Sequence, residues 1–68
     1  MREFQLTTEY IELVKLLKLL RISETGGHAK IMIEDGEVYL NGVQEFRKRA
    51  KLRPGDVIKL YDETILIK

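Results

Sequence analysis

With 68 residues, no cysteine, one histidine and a formal net charge of +1, the chain has room for a single small domain, and neither disulfides nor a thiolate zinc site can hold it together. Stability must come from a core built out of the 44% of residues that are hydrophobic. The charge is unevenly placed: residues 1–46 carry five Lys/Arg and eight Asp/Glu, net −3, whereas residues 47–68 carry seven and three, net +4.

Taken in order, the opening MREFQL has no apolar signal region, and Lys15 and Lys18 interrupt the longest apolar stretch. A membrane-spanning segment is therefore not expected, and the cytoplasm is the expected location. Phe4 and Leu6 alternate with polar neighbours as a short strand would, and the run Thr64-Ile65-Leu66-Ile67 offers a partner that would tie both termini into one sheet. Thr7 or Thr8 then supplies an N-cap, with Glu9 in the first turn. Tyr10, Leu13, Val14, Leu17 and Leu20 follow helical spacing, Ile11, Leu16 and Leu19 widen the stripe, and the pattern predicts a helix from about Thr8 to Leu20. Its Lys residues could suggest a membrane surface, but Glu9 and Glu12 share the polar face and would repel anionic headgroups, so a core helix is the better reading.

A second helix follows, capped by Ser23 or Thr25, with Ala29, Met32 and Ile33 toward the core and Gly36 as its left-handed stop. Gly26 and Gly27 at its entrance each cost roughly 1 kcal/mol against alanine inside a helix. Two uses would repay that: close packing against the first helix, or open access for a phosphate or ribose to the backbone N–H groups. Val38 and Leu40 read as a half-buried strand, Asn41-Gly42 as a tight hairpin turn, and Val43 and Phe46 as further apolar contributions. Next comes Arg47 to Arg53, RKRAKLR, with five basic residues in seven and no acid. If extended, it places Arg47, Arg49, Lys51 and Arg53 on one face and Ala50 and Leu52 on the other. Pro54-Gly55 fits a type II turn, after which Val57, Ile58 and Leu60 form a strand and Tyr61 to Thr64 turns the chain into Ile65 to Ile67. The order gives an α+β fold, two packed helices on one side of a small antiparallel sheet, as a single domain over residues 1–68.

A catalytic constellation is hard to assemble. His28 is the lone histidine, Gly26-Gly27 lacks the spaced Gly-Lys-Ser/Thr of a phosphate-binding P-loop, and no carboxylate cluster suggests a metal. No catalytic residue, cofactor, metal or small-molecule substrate is expected. The basic run could simply guard an edge strand, which needs one or two charges. Five in seven repel one another at a cost that a bound polyanion would relieve, which favours nucleic acid. The five aromatics, Phe4, Tyr10, Tyr39, Phe46 and Tyr61, form no obvious stacking cluster, so phosphate and shape contacts with a folded RNA fit better than single-strand stacking.

The segments Thr25-Gly26-Gly27 with Ala29-Lys30, Asp35-Gly36-Glu37-Val38, Asn41-Gly42, and Arg47 through Lys51 leading to Pro54-Gly55-Asp56 resemble the RNA-binding domain of the ribosomal protein S-four type, the alpha-L motif. The likeness runs from about Tyr10 to Leu60 and is strongest to a short stand-alone bacterial subfamily without a catalytic domain. It implies a helix-turn-helix-like pair on a sheet, with structured RNA, ribosomal or transfer, along the pair and the adjacent loop. The broad family often opens its first helix with Arg-Leu-Asp; here Tyr10-Ile11-Glu12 stands nearby, so that arginine's contact does not carry over. The expected RNA-binding set is Ser23, Thr25, Gly26, Gly27, His28, Lys30, Asn41, Arg47, Lys48, Arg49, Lys51 and Arg53. The alternative is a protein-interaction module docking a ribosomal or other acidic partner through the same basic strand; the oligomeric state is not legible.

Overall fold

The computed structural model describes residues 1–68. Its elements in chain order are β1 (Arg2–Phe4), β2 (Ile11–Glu12), α1 (Leu13–Leu19), α2 (Gly26–Glu34), β3 (Val38–Leu40), β4 (Val43–Gln44), β5 (Lys51–Leu52), β6 (Val57–Leu60) and β7 (Glu63–Ile67). Five strands form one sheet in the order β1-β7-β6-β3-β4, and β2 and β5 form a separate two-stranded ladder. The architecture is the expected α+β arrangement of two helices and a small sheet. The sheet is mixed, however: four strands pair antiparallel, while β1 runs parallel to β7. That pairing joins the termini as anticipated, and it continues past the strands through Lys68 N–H to Phe4 O and Leu6 N–H to Lys68 O, both 2.8 Å.

Period-two alternation decides which sheet face is buried. Val38, Ile58, Leu60, Ile65 and Ile67 enter the core, where Leu13, Leu16, Leu17, Ala29, Met32 and Ile33 from the helices meet them. Ile11, Ala50 and Leu52 belong to the same cluster, so the small β2–β5 ladder is fastened to the core by both of its strands. No helix is long and apolar enough to cross a membrane.

The first helix is shorter than its apolar stripe. The chain from Thr7 to Tyr10 is irregular, with the Thr8 hydroxyl donating to the Tyr10 carbonyl at 2.8 Å, and neither threonine caps a helix. Ile11 and Glu12 pair instead with Leu52 and Lys51. A long-range ladder displaces the first helical turn because it buries Ile11 and satisfies backbone groups at the same time. Leu19, assigned to the apolar stripe, is 58% exposed. At α2 the open choice of cap resolves to Thr25, whose hydroxyl accepts the His28 N–H at 3.1 Å. The helix ends in a Schellman motif: Gly36 (φ 80°) donates to Ile33 O and Glu37 to Met32 O.

The turn chemistry read from the sequence holds. Asn41 and Gly42 take φ of 51° and 84° in a two-residue β3–β4 hairpin. At Pro54-Gly55, Gly55 has φ of 98° and Asp56 N–H donates to Arg53 O at 3.0 Å, as a type II turn requires. The basic run is not extended throughout. Ala50 N–H donates to Arg47 O at 3.1 Å, closing a turn over Lys48 and Arg49, and strand geometry begins only at Lys51. Val43 and Phe46, expected to add to the core, stand 69% and 54% exposed.

Candidate nucleic-acid interface

A helix start leaves its first N–H groups without intrahelical partners, and α1 has no side chain to receive them: Glu12 occupies the cap position and makes no capping bond. The basic segment supplies the acceptors. Leu13 N–H donates to Ala50 O at 2.9 Å and Val14 N–H to Lys48 O at 3.0 Å. Ala50 and Leu52 point inward at 4% and 0% exposure, so apolar anchors and backbone bonds together hold the segment across the start of α1 with its cationic side chains outward. Lys48 is half-buried, and Arg47, Arg49, Lys51 and Arg53 are exposed.

The start of α2 lies beside it. Gly26, Gly27 and Lys30 line one cleft together with Lys48 and Arg49 of the basic segment, with Glu12 at the end of β2 and with Val14 of α1. Thr25 engages the N–H of His28; the N–H groups of Gly26 and Gly27 have no acceptor within the chain. A Cβ on Gly26 would meet nothing within 4 Å, and one on Gly27 only the Thr25 hydroxyl at 3.8 Å. The two glycines are therefore not demanded by helix–helix packing. What they leave is an uncluttered approach to two free amides at the positive end of a nine-residue helix. Lys48 and Arg49 also line an adjoining concavity with Arg47, Lys51 and Arg53, where Glu34 is the single acid, so the cations extend around the segment.

Three of these cations have partners within the chain. Arg47 makes a forked pair with Glu45, Nε to Oε2 and Nη2 to Oε1 both at 3.1 Å, and its backbone N–H also donates to Oε2. The Arg47 side-chain bond is the main reason the Glu45 carboxyl is held below the usual carboxylate range; partial burial opposes it, and the backbone N–H groups of Arg47 and Phe46 and the charge of Arg47 assist. The guanidinium is raised in return by the same bond. Lys51 Nζ stands 4.9 Å and Arg53 Cζ 5.8 Å from the centre of the Tyr10 ring, close enough for cation–π attraction to order both chains.

The residues expected to meet RNA thus divide. Gly26, Gly27, Lys30, Lys48 and Arg49 share the cleft, with Arg47, Lys51 and Arg53 on its continuation. Thr25 serves as the helix cap, and His28 is exposed on the first turn of α2. Ser23 is 2% exposed and its Oγ has no hydrogen-bond partner, so its hydroxyl is withdrawn from the surface where it was expected to act. Asn41 is engaged at both ends of its carboxamide, Nδ2 with Asp56 at 3.0 Å and Oδ1 with Val57 N–H at 2.8 Å, which accounts for it without a ligand. Sequence reasoning missed Glu45, which stands just outside the acid-free window, and missed Tyr10, which was assigned to the helix stripe. No three His, Asp or Glu side chains converge as a metal site.

Two helices whose starts open beside a strongly cationic segment, all carried by a small sheet, define the class: an alpha-L type module of α+β fold. The chain belongs to the S4 domain family, whose model matches residues 4–68. Among solved structures it is similar to YbcJ of Escherichia coli, described as revealing an alpha-L motif involved in RNA-binding. That likeness has a TM-score of 0.74 and 37% identity, and covers 98% of this chain and 86% of that one. By sequence it is 38% identical to YbcJ of E. coli strain K12 over 58 residues, covering 85% of this chain and 83% of YbcJ. It is also 38% identical over 53 residues to the Bacillus subtilis (strain 168) protein named "Probable ribosome maturation protein RlbA", covering 78% of this chain and 75% of that protein.

Proposed function

We propose that this protein is a non-catalytic RNA-binding module that holds a folded RNA, ribosomal rather than transfer, through its phosphate backbone. The observation that carries the reading is the shared cleft: free amides of Gly26 and Gly27 stand with Lys30, Lys48 and Arg49 around one concave surface. One phosphate seats at the helix mouth, where amides and dipole both favour an anion. Neighbouring phosphates along the strand meet Lys48, Arg49, Lys51 and Arg53, while Arg47 is partly neutralised by Glu45. Family membership supports RNA as the partner class, and the name of the B. subtilis relative supports the ribosomal choice.

The test is the salt dependence of binding to a ribosomal RNA fragment, followed by fluorescence anisotropy. About four neutralised phosphates give a slope of log K against log salt of roughly −3 to −4. The double variant Lys48→Ala/Arg49→Ala is expected to flatten that slope by about 1.5 while leaving the thermal transition in place. A flat salt profile for the unaltered protein would sink the reading.

A further inference from the structure

Phe46 stands 54% exposed in a chain of 68 residues that can ill spare an aromatic from its core. Its ring edge lies over the α2 exit beside the Gln44 side chain: a Cβ placed on Gly36 would press on Gln44 first and would stand 3.3 Å from the Phe46 ring edge. The ring lines the same concavity as Arg47, Lys48, Arg49, Lys51 and Arg53. An apolar protein partner would have to strip water from those charges, of which only Arg47 has a carboxylate partner in the chain, Glu45, at a cost that grows with burial. A polyanion pairs them, and the flat apolar surface that a nucleic acid can offer to a lone aromatic ring is the face of a base.

In a continuous duplex every base face is covered by its neighbours, so a ring at the level of the phosphates has nothing to stack on. From this we infer that Phe46 is a stacking platform for one unpaired nucleotide, and that the site selects RNA at a bulge, loop or frayed end over an uninterrupted helix. The inference rests on the RNA-binding reading and deepens it. Cationic side chains supply affinity along the backbone, and the ring supplies a preference for a local break in pairing. It also departs from the expectation of phosphate and shape contacts alone, which rested on the five aromatics forming no stacking cluster.

The experiment uses two RNA hairpins identical except for a three-adenosine bulge in one. Phe46→Ala is expected to weaken binding of the bulged hairpin on the order of tenfold and the uninterrupted hairpin less than twofold, with Phe46→Tyr restoring most of the loss. Because the chain has no tryptophan, Phe46→Trp places a single reporter at the site, and its emission should be quenched by the bulged hairpin and not by the other. Equal effects of Phe46→Ala on both hairpins, or an unquenched tryptophan with the bulged hairpin bound, overturn the stacking role while leaving RNA binding standing. Failure of the unaltered protein to bind either hairpin at low salt overturns both.

Discussion

At the start of α1 the amides of Leu13 and Val14 donate to the carbonyls of Ala50 and Lys48; at the start of α2 Thr25 engages only His28, and the amides of Gly26 and Gly27 stay free. Both helix starts line the same cleft. One is closed by a neighbouring segment and the other is left open, and the difference separates two uses of the same physics. Unpaired N–H groups and the helix dipole attract any acceptor. At α1 the acceptors belong to the protein and serve to dock the basic segment. At α2 the small residues keep the position available to an acceptor from outside.

The sharpest way to break this comparison is to loosen the docked side. Leu52 is fully buried where β5 pairs with β2 just ahead of α1, so Leu52→Ala should cost about 2–5 kcal/mol. In a domain of this size each kcal/mol moves the melting temperature by roughly 4–8 °C, which thermal denaturation followed by circular dichroism resolves. A shift below about 4 °C would mean that the segment is held by something other than its apolar anchors. On the open side, Thr25→Ala removes the one capping bond and should cost about 1 kcal/mol, with Thr25→Ser recovering most of it. No loss on chemical denaturation would remove Thr25 from the stability of α2.

Gly26→Ala sharpens the contrast, because the two readouts should move in opposite directions. The added methyl meets open space and improves helix propensity, so stability should rise by up to about 1 kcal/mol. RNA affinity should fall, since the methyl crowds the free amides. Unchanged affinity would leave the glycine without a binding role. The smallest effect concerns Arg47. Glu45→Gln weakens its fork and should steepen the salt slope by about 0.7–0.9 as one more guanidinium becomes available to phosphate. Acid should act in the same direction. With the Glu45 carboxyl depressed in the folded protein, its stabilising contribution is present above the ordinary glutamate pKa and is lost as pH falls through the lowered value. The unaltered protein should therefore lose in acid a small margin of stability over the Glu45→Gln variant that it holds at neutral pH, read as the difference between their melting temperatures at the two conditions.

Much of the fold was legible because it depends on local chemistry. Thr25 as one of two candidate caps, Gly36 at the exit of α2, Asn41-Gly42 and Pro54-Gly55 each act through dihedral angles and hydrogen bonds within a few residues. The start of α1 was not legible. Tyr10 to Leu20 satisfies helical spacing, yet Ile11 and Glu12 pair with residues about forty positions away, and no local pattern encodes that partner. The candidate site shows the same divide. The density of cations from Arg47 to Arg53 was plain, but Glu45 beside Arg47, the burial of Ser23 and the exposure of Phe46 depend on how the turn at Lys48-Arg49 folds back.

The linear order of residues by itself determined the number of helices, the positions of the tight turns, the glycine entrance of α2 and the concentration of positive charge, because each follows from propensity, backbone freedom or composition. Only the tertiary structure decided that the charge and the glycine entrance share one cleft, and that an aromatic ring stands among the cations. The reason is that the unsatisfied amides of α1 and the apolar side chains of Ala50 and Leu52 draw the basic segment onto the helices, and contacts of that range exist only once the chain has folded.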